Sequence, residues 1–340
     1  MAEKVKKERI LGLDIIRVLA LLFVFFTHGI AYNDLMNHDV MSAKWIFFVI
    51  LRFTCMASVP LFLLLTGYLN NKTEISKKYY KGIIPLLLSY VFISLLEIVA
   101  IGVYTGASIE WGKEILSILN FSKNSYAWYF EMYIGLFLLI PFLNRLYNSL
   151  ENKKEKYILV CSLIFLTFLP QMFKSFKVFE EWLNVTPDYW QIIYPITYFY
   201  IGKMIKELKP KFSLIKHIAL IVLAISIPCC FCIFFSRNGE YAWYTFNGFE
   251  ALTDAFIAVS IFLLFYDFNK KIPVIGKIIT EISICSFEMY LMSSIFDKYF
   301  YSKYPMNIFF EVPLVLVTTY ITSKIWIILR DKIVKLLQKN

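Results

Sequence analysis

The sequence predicts an all-α protein, a bundle of about ten transmembrane helices with both termini on the cytoplasmic side. Three observations carry that expectation. Hydrophobic residues make up 59% of the 340 and aromatic residues 19%, at a mean hydropathy of +0.62, too apolar for a soluble domain and ordinary for a multi-span membrane protein. The polar residues cluster in short segments between apolar runs of about 20 residues, the length that crosses a bilayer as helix. Those runs are continuously apolar, whereas the strands of a membrane barrel alternate, so helices are left to satisfy the backbone in lipid.

The first crossing is expected at 10–32. It follows the basic run "MAEKVKKER", as the core of a signal peptide would, but it is long and no small-residue cleavage pattern stands near its end, so a retained span is expected. The second is placed at 45–69 and the third at 83–104, with "NNKTEISKKYYKGIIP" between them. Spans four, five and six fall at 127–147, 157–174 and 190–206. Span seven, 214–236, contains "CCFC". Span eight, 249–267, carries Glu250 and Asp254 one turn apart near its outer end. Spans nine and ten are read at 282–300 and 306–329, ahead of the short amphipathic tail "RDKIVKLLQKN". No internal repeat stands out. The whole chain, 1–340, reads as one transmembrane domain without a soluble extracytoplasmic part.

Orientation follows from where Lys and Arg fall. With the N-terminus in the cytoplasm, the cytoplasmic segments collect most of them: Lys72, Lys77, Lys78 and Lys81 after span two, Arg145, Lys153, Lys154 and Lys156 after span four, and Lys203 to Lys216 after span six. The net charge of +10 is thereby a topology signal, and it calls for no nucleic acid. All six cysteines, Cys55, Cys161, Cys229, Cys230, Cys232 and Cys285, lie in apolar segments. No His or carboxylate is close to "CCFC" in sequence, so buried thiols are expected there, with no metal and no disulfide framework.

Ionisable residues inside the spans point to function. A charge near the bilayer centre costs on the order of 3 kcal/mol and usually faces the bundle interior. In "LDIIRVLALLFVFFTH", Arg17 and His28 are eleven residues apart, which returns to within about 20° of the same helix direction and separates them by about 16 Å. Asp14 lies about 40° to the other side of His28 and is spaced to pair with Arg17. Histidine as a residue type can accept and return a proton in one cycle, so His28 suits either a general base or a proton relay. Pattern alone leaves both open, and a structural role for the trio as well. Arg52, Glu97, Glu131, Glu250, Asp254, Glu288 and Asp297 are further charges within spans, and together they imply a polar cavity lined by several helices. Lys78 and Lys81 are either topology signals or a phosphate site. The outer aromatics Trp111, Trp182, Trp190, Tyr241, Trp243 and Tyr244 read as a membrane-interface belt, with stacking on sugar rings as the alternative.

These pieces together resemble the bacterial membrane acyltransferases of family three. The resemblance rests on Arg17 and His28 with ten residues between them, on "VPLFLLLTGYLN" at 59–70, on "KKYYKGIIP" with lysines where arginines are commoner, and on "AWYFEMYIGLFLLIPFL" at 127–143. "YFYIGKMI" at 198–205 and "SFEMYLMSS" at 286–294 extend it over most of the chain. One departure stands in the last segment, where Ser293 occupies a position that often holds His. The resemblance implies an integral-membrane O-acyltransferase of the bacterial cytoplasmic membrane. It would take an acyl group, acetyl most commonly, from cytoplasmic acyl-CoA to a hydroxyl of a cell-surface or lipid-linked carbohydrate. On that reading His28 and Arg17 are catalytic. Lys78, Lys81 and Arg52 hold the CoA, and Asp14, Trp128, Glu131 and Tyr290 serve the substrate, with Asp14 keeping Arg17 in place. Partners would be membrane lipid and polysaccharide-assembly proteins. The rival readings are a transporter that uses the same charges as a substrate or proton path, and an assembly subunit in which His28 is dispensable. Dependence on CoA separates the first from both.

Overall fold

The computed structural model describes residues 9–33, 36, 39–178, 181–242, 246, 248–303 and 307–337. Trp243 and Tyr244 lie outside them, as does the basic run through Glu8, and of Trp182 only the backbone is described. The chain is helical almost throughout: α1 Leu11–Tyr32, α2 Ala43–Cys55, α3 Ser58–Leu69, α4 Lys77–Tyr80, α5 Ile84–Thr105, α6 Trp111–Leu119, α7 Trp128–Ser149, α8 Lys153–Thr167 and α9 Leu169–Phe173. A hairpin of two-residue strands, Lys177–Val178 and Glu181–Trp182, follows. Then come α10 Tyr194–Leu208, α11 Leu214–Phe235, α12 Leu252–Phe265, α13 Pro273–Lys303 and α14 Ile308–Leu337.

Local signals set the boundaries. Ser42 caps α2 by accepting from Trp45 N, and Ser213 caps α11 by accepting from Lys216 N. At α8, Asn152 accepts from Glu155 N while Glu155 reaches back to Asn152 and to Glu151 N, a reciprocal cap. Pro85 and Pro195 stand in the first turns of α5 and α10, where a missing N–H costs nothing.

Among the described residues, eight helical segments are long and apolar enough to cross a membrane: Leu11–Tyr32, Ala43–Leu69, Lys77–Thr105, Trp128–Ser149, Lys153–Phe173, Leu214–Phe235, Pro273–Phe300 and Ile308–Leu336. The two segments that would complete ten are shorter. α12 has 14 residues, about 21 Å of helix against a hydrocarbon core of about 30 Å. α10 has 15 residues and carries Lys203, Lys206 and Glu207 in its last turns.

The lysine-bearing loops meet at one end of the bundle, here called the basic end. Asn144 Nδ2 donates to the carbonyls of Asn70 and Thr73 at 2.8 and 2.9 Å, and Lys203 Nζ donates to Asn71 O at 2.8 Å. Lys156 pairs with Glu207, Tyr266 Oη donates to Pro210 O, and Gly12 N donates to Phe268 O. The start of α1 is therefore at the basic end. So is the end of α14, which Glu281–Lys324 and Glu288–Arg330 tie to the first half of α13.

Two segments quoted above for their family likeness prove to be a packing device. α3 and α10 cross so closely that a Cβ on Gly67 would stand 1.9 Å from Phe199 O, and one on Gly202 would stand 2.2 Å from Leu64 O. Only glycine admits that approach. One large core gathers around this contact with α12, and a second around the far half of α1 with α5, α13 and α14. Phe62 and Tyr129 pack against both. The site lies between the two cores.

Candidate active site

α1 and α13 run side by side in the same direction, and the seam between them is built on a seven-residue spacing. Asp14, Leu21 and His28 form a stripe on α1, since seven residues are nearly two helical turns. Ser283, Tyr290 and Asp297 form the matching stripe on α13. The first members meet, Ser283 Oγ donating to Asp14 Oδ1 at 2.7 Å. The last members meet as well, His28 Nδ1 lying 3.2 Å from Asp297 Oδ2.

At the basic end Asp14 is buried and saturated. Arg9 donates to it through Nε at 2.6 Å and Nη2 at 2.7 Å, and Thr280 Oγ1 donates at 3.2 Å. The sequence reading gave Asp14 to Arg17. In the structure that ion pair is present but long, Arg17 Nη1 lying 4.0 Å from Asp14 Oδ1, and the two-pronged Arg9 fork is the closer and stronger partner. Arg17 also donates to Ser283 Oγ, at 3.1 Å.

That leaves Arg17 on the wall of a half-open cavity of about 190 Å³ lined by α1, α3, α5, α7 and α13. Asn70 and Leu86 flank its basic end, Thr66, Tyr129 and Tyr133 line it, and Tyr290 and Val24 reach its deep end. It is narrower than the roughly 300–1,000 Å³ of common ligand pockets. It suits a thin extended chain better than a whole nucleotide. Arg17 to Val24 spans about 10 Å along α1, and Val24 to His28 about 6 Å more.

His28 stands beyond the cavity. Tyr126 stacks on its imidazole, ring centroids 3.8 Å apart and planes 21° off parallel, and Tyr126 Oη donates to Asp297 Oδ2 at 2.8 Å. Tyr290 Oη donates to Tyr126 O at 2.6 Å, which couples the cavity wall to the residue covering His28. The loop carrying Tyr126 is pinned by Asn124, whose Oδ1 accepts from Tyr126 N and whose Nδ2 donates to Leu291 O. Ser293 turns its hydroxyl to Tyr290 O within α13 and takes no part.

Lys77, Lys78 and Lys81 line an open groove of about 490 Å³ with Gly82 and Pro85. Pro85 and Leu86 are successive on α5, so groove and cavity flank the same turn. Arg52 is not with these lysines. It lies on α2 beside the Phe53 ring, 5.2 Å from its centroid, and within electrostatic reach of Asp254 on α12. Nor is Glu131 on the cavity: Tyr129 and Tyr133 take that face of α7, and Glu131, two residues from each, is exposed on the opposite one. Trp128 stacks on Phe249 at 5.4 Å, at the end of α7 away from the lysines.

Sequence reasoning thus missed Arg9, Ser283 and Tyr126, and noted Asp297 only as a charge. Asp297 and Ser283 were findable, each seven residues from Tyr290. Arg9 and Tyr126 were not, because both reach the site from irregular chain.

Compared with known proteins, residues 10–329 match the family model described as "Acyltransferase domain", that of acyltransferase family three. No curated protein and no solved structure matches the chain.

Proposed function

The chain belongs to this acyltransferase family, and on that premise we propose that it is an O-acyltransferase passing an acyl group, acetyl in the simplest case, from acyl-CoA to a carbohydrate hydroxyl. The observation that carries the reading is the narrow cavity from Arg17 to Tyr290, with His28 one helical turn past its end. CoA's phosphates rest among Lys77, Lys78 and Lys81 in the open groove, on the side that the positive-inside rule assigns to the cytoplasm. The pantetheine arm threads the cavity past Arg17. To reach His28 the thioester displaces the Tyr290 side chain, and the acceptor arrives from the opposite end, where Trp128 and Phe249 offer aromatic faces.

The chemistry balances with one base. His28 Nε2 takes the hydroxyl proton, the acceptor oxygen attacks the thioester carbonyl, and the carbon–sulfur bond breaks. The departing CoA thiolate takes the same proton from the imidazolium, leaving an ester, free CoA thiol and neutral His28. Asp14 serves here as an anchor for Arg9 and Ser283 rather than as a substrate contact.

The reading is tested by supplying labelled acetyl-CoA to the lysine-bearing face of vesicles containing the protein, with glycan acceptors on the other face. Mass spectrometry of the glycans should find the label in ester linkage. Movement of glycan with no consumption of acetyl-CoA would replace the reading with a transporter.

A further inference from the structure

We propose that Asp297 is a positioning residue that holds His28 in the tautomer with its hydrogen on Nδ1, so that Nε2 is the reacting nitrogen. The role assigned to Nε2 rests on the acyltransferase reading; the tautomer does not.

The geometry comes first. Asp297 is fully buried on α13, and its Oδ2 faces His28 Nδ1 at 3.2 Å. A carboxylate only accepts hydrogen bonds. A neutral imidazole facing one must therefore place its single hydrogen on that side, leaving the other nitrogen with its lone pair. The same oxygen accepts from Tyr126 Oη, and the Tyr126 ring covers one face of the imidazole. The ring is thus clamped in plane by Asp297 and in tilt by Tyr126. The His28 side chain stays about one-fifth exposed, which leaves access for a proton donor.

The surrounding charges do not compete. Lys298, next to Asp297 in sequence, pairs with the buried Glu97 on α5 at 2.6 Å, and Ser294 donates to the same carboxylate. Glu311 on α14 accepts from Asn33 Nδ2 at 2.8 Å. Tyr32 on α1 interacts with Tyr126, and Lys44 lines a separate groove with Asn33 and Phe47. Among the described residues only Asp297 hydrogen-bonds the imidazole. Its second oxygen, Oδ1, is buried and has no hydrogen-bond partner among the described residues. A buried acceptor so poorly supplied depends heavily on each donor it has.

The test is ¹⁵N NMR of protein labelled in histidine. The chain has three His, and His28→Gln identifies the signal by its loss. Where His28 is neutral, we expect Nδ1 to be protonated and Nε2 bare. A protonated Nε2 in the wild type would overturn the proposal, and where His28→Gln does not fold, His38→Gln and His217→Gln assign the same signal by elimination. In the kinetic arm, Asp297→Asn presents an amide that can donate to Nδ1 and push the hydrogen to Nε2. We expect its kcat to fall by about a hundredfold or more while KM for acyl-CoA stays within about twofold, with Asp297→Glu recovering part of the rate. A kcat within about threefold of wild type in Asp297→Asn would also overturn it. If wild-type vesicles transfer no acyl group, the functional reading fails while the spectrum still decides the tautomer.

Discussion

The two ends of the α1–α13 seam use the same parts to different effect. Each pairs a buried carboxylate with a basic side chain across or along the seam. At the basic end the carboxylate is Asp14, and Arg9, Ser283 and Thr280 all donate to it. At the far end the carboxylate is Asp297, with donors on Oδ2 and, among the described residues, none on Oδ1. A saturated carboxylate has nothing left to offer a ligand and stabilises the helix pair. An unsaturated one, buried against a residue that can change its protonation state, is where chemistry is expected. The difference teaches that an intramembrane charge is read by its spare valence, not by its presence.

The strongest way to break the contrast is at His28. His28→Ala should abolish acyl transfer, a loss of about 10² to 10⁴ in rate for a general base, with the protein still inserted and folded. His28→Gln keeps size and hydrogen bonding but cannot cycle a proton, and should be equally inactive. Normal glycan modification by His28→Gln would make the far end as structural as the basic one.

A smaller effect is expected from the groove. Lys78→Ala combined with Lys81→Ala should raise KM for acyl-CoA by about tenfold and leave kcat nearly unchanged, since a phosphate far from the carbonyl is bound alike in ground and transition states. The KM rise should shrink at high salt. An unchanged KM would return both lysines to the role of topology signals.

At Asp14 the contrast predicts stability without rate. Asp14→Ala strands Ser283 and Thr280 and releases the half-exposed Arg9, at a cost of about 1–3 kcal/mol, discounted for Arg9's access to solvent. Thermal unfolding in detergent should come earlier, while the folded fraction keeps kcat within a few-fold. A collapse of kcat with unchanged unfolding would assign Asp14 to the chemistry after all.

Much of this was legible in the chain. Hydropathy placed eight helices long enough to cross, while the segments read at 190–206 and 249–267 hold shorter ones, and the 3.6-residue period put Asp14, Arg17 and His28 on one face. What period cannot supply is the partner. Asp14 with Arg17 was a sound local pairing by spacing and is present at 4.0 Å, but the closer partner is Arg9, because a residue ahead of the first turn can wrap back over the helix end. Arg52 was grouped with the lysines by charge alone, although span two carries it far from them. Tyr126 lies in a turn whose conformation is set by Asn124, a contact with no signature at helical spacing. The glycines of "TGYLN" and "YIGKMI" carry the family likeness, yet their role is the close crossing of α3 and α10.

The smallest expected effect is at Glu131, and it tests whether the seam's logic extends to α7. The family resemblance assigned Glu131 to the substrate, together with Trp128. In the structure the cavity takes Tyr129 and Tyr133 from α7, and a residue midway between them points about 160° away. Glu131 is exposed there and forms no hydrogen bond or ion pair among the described residues. An exposed, unpaired carboxylate has the spare valence that marks Asp297 but neither its burial nor its basic partner. Spare valence alone should then count for nothing. Glu131→Gln should leave kcat, KM for acyl-CoA and KM for the acceptor within about twofold of wild type. A rise in acceptor KM alone would mean that the sugar is met on the outer face of α7, beside Trp128, and that burial is not a condition for a functional charge in this bundle.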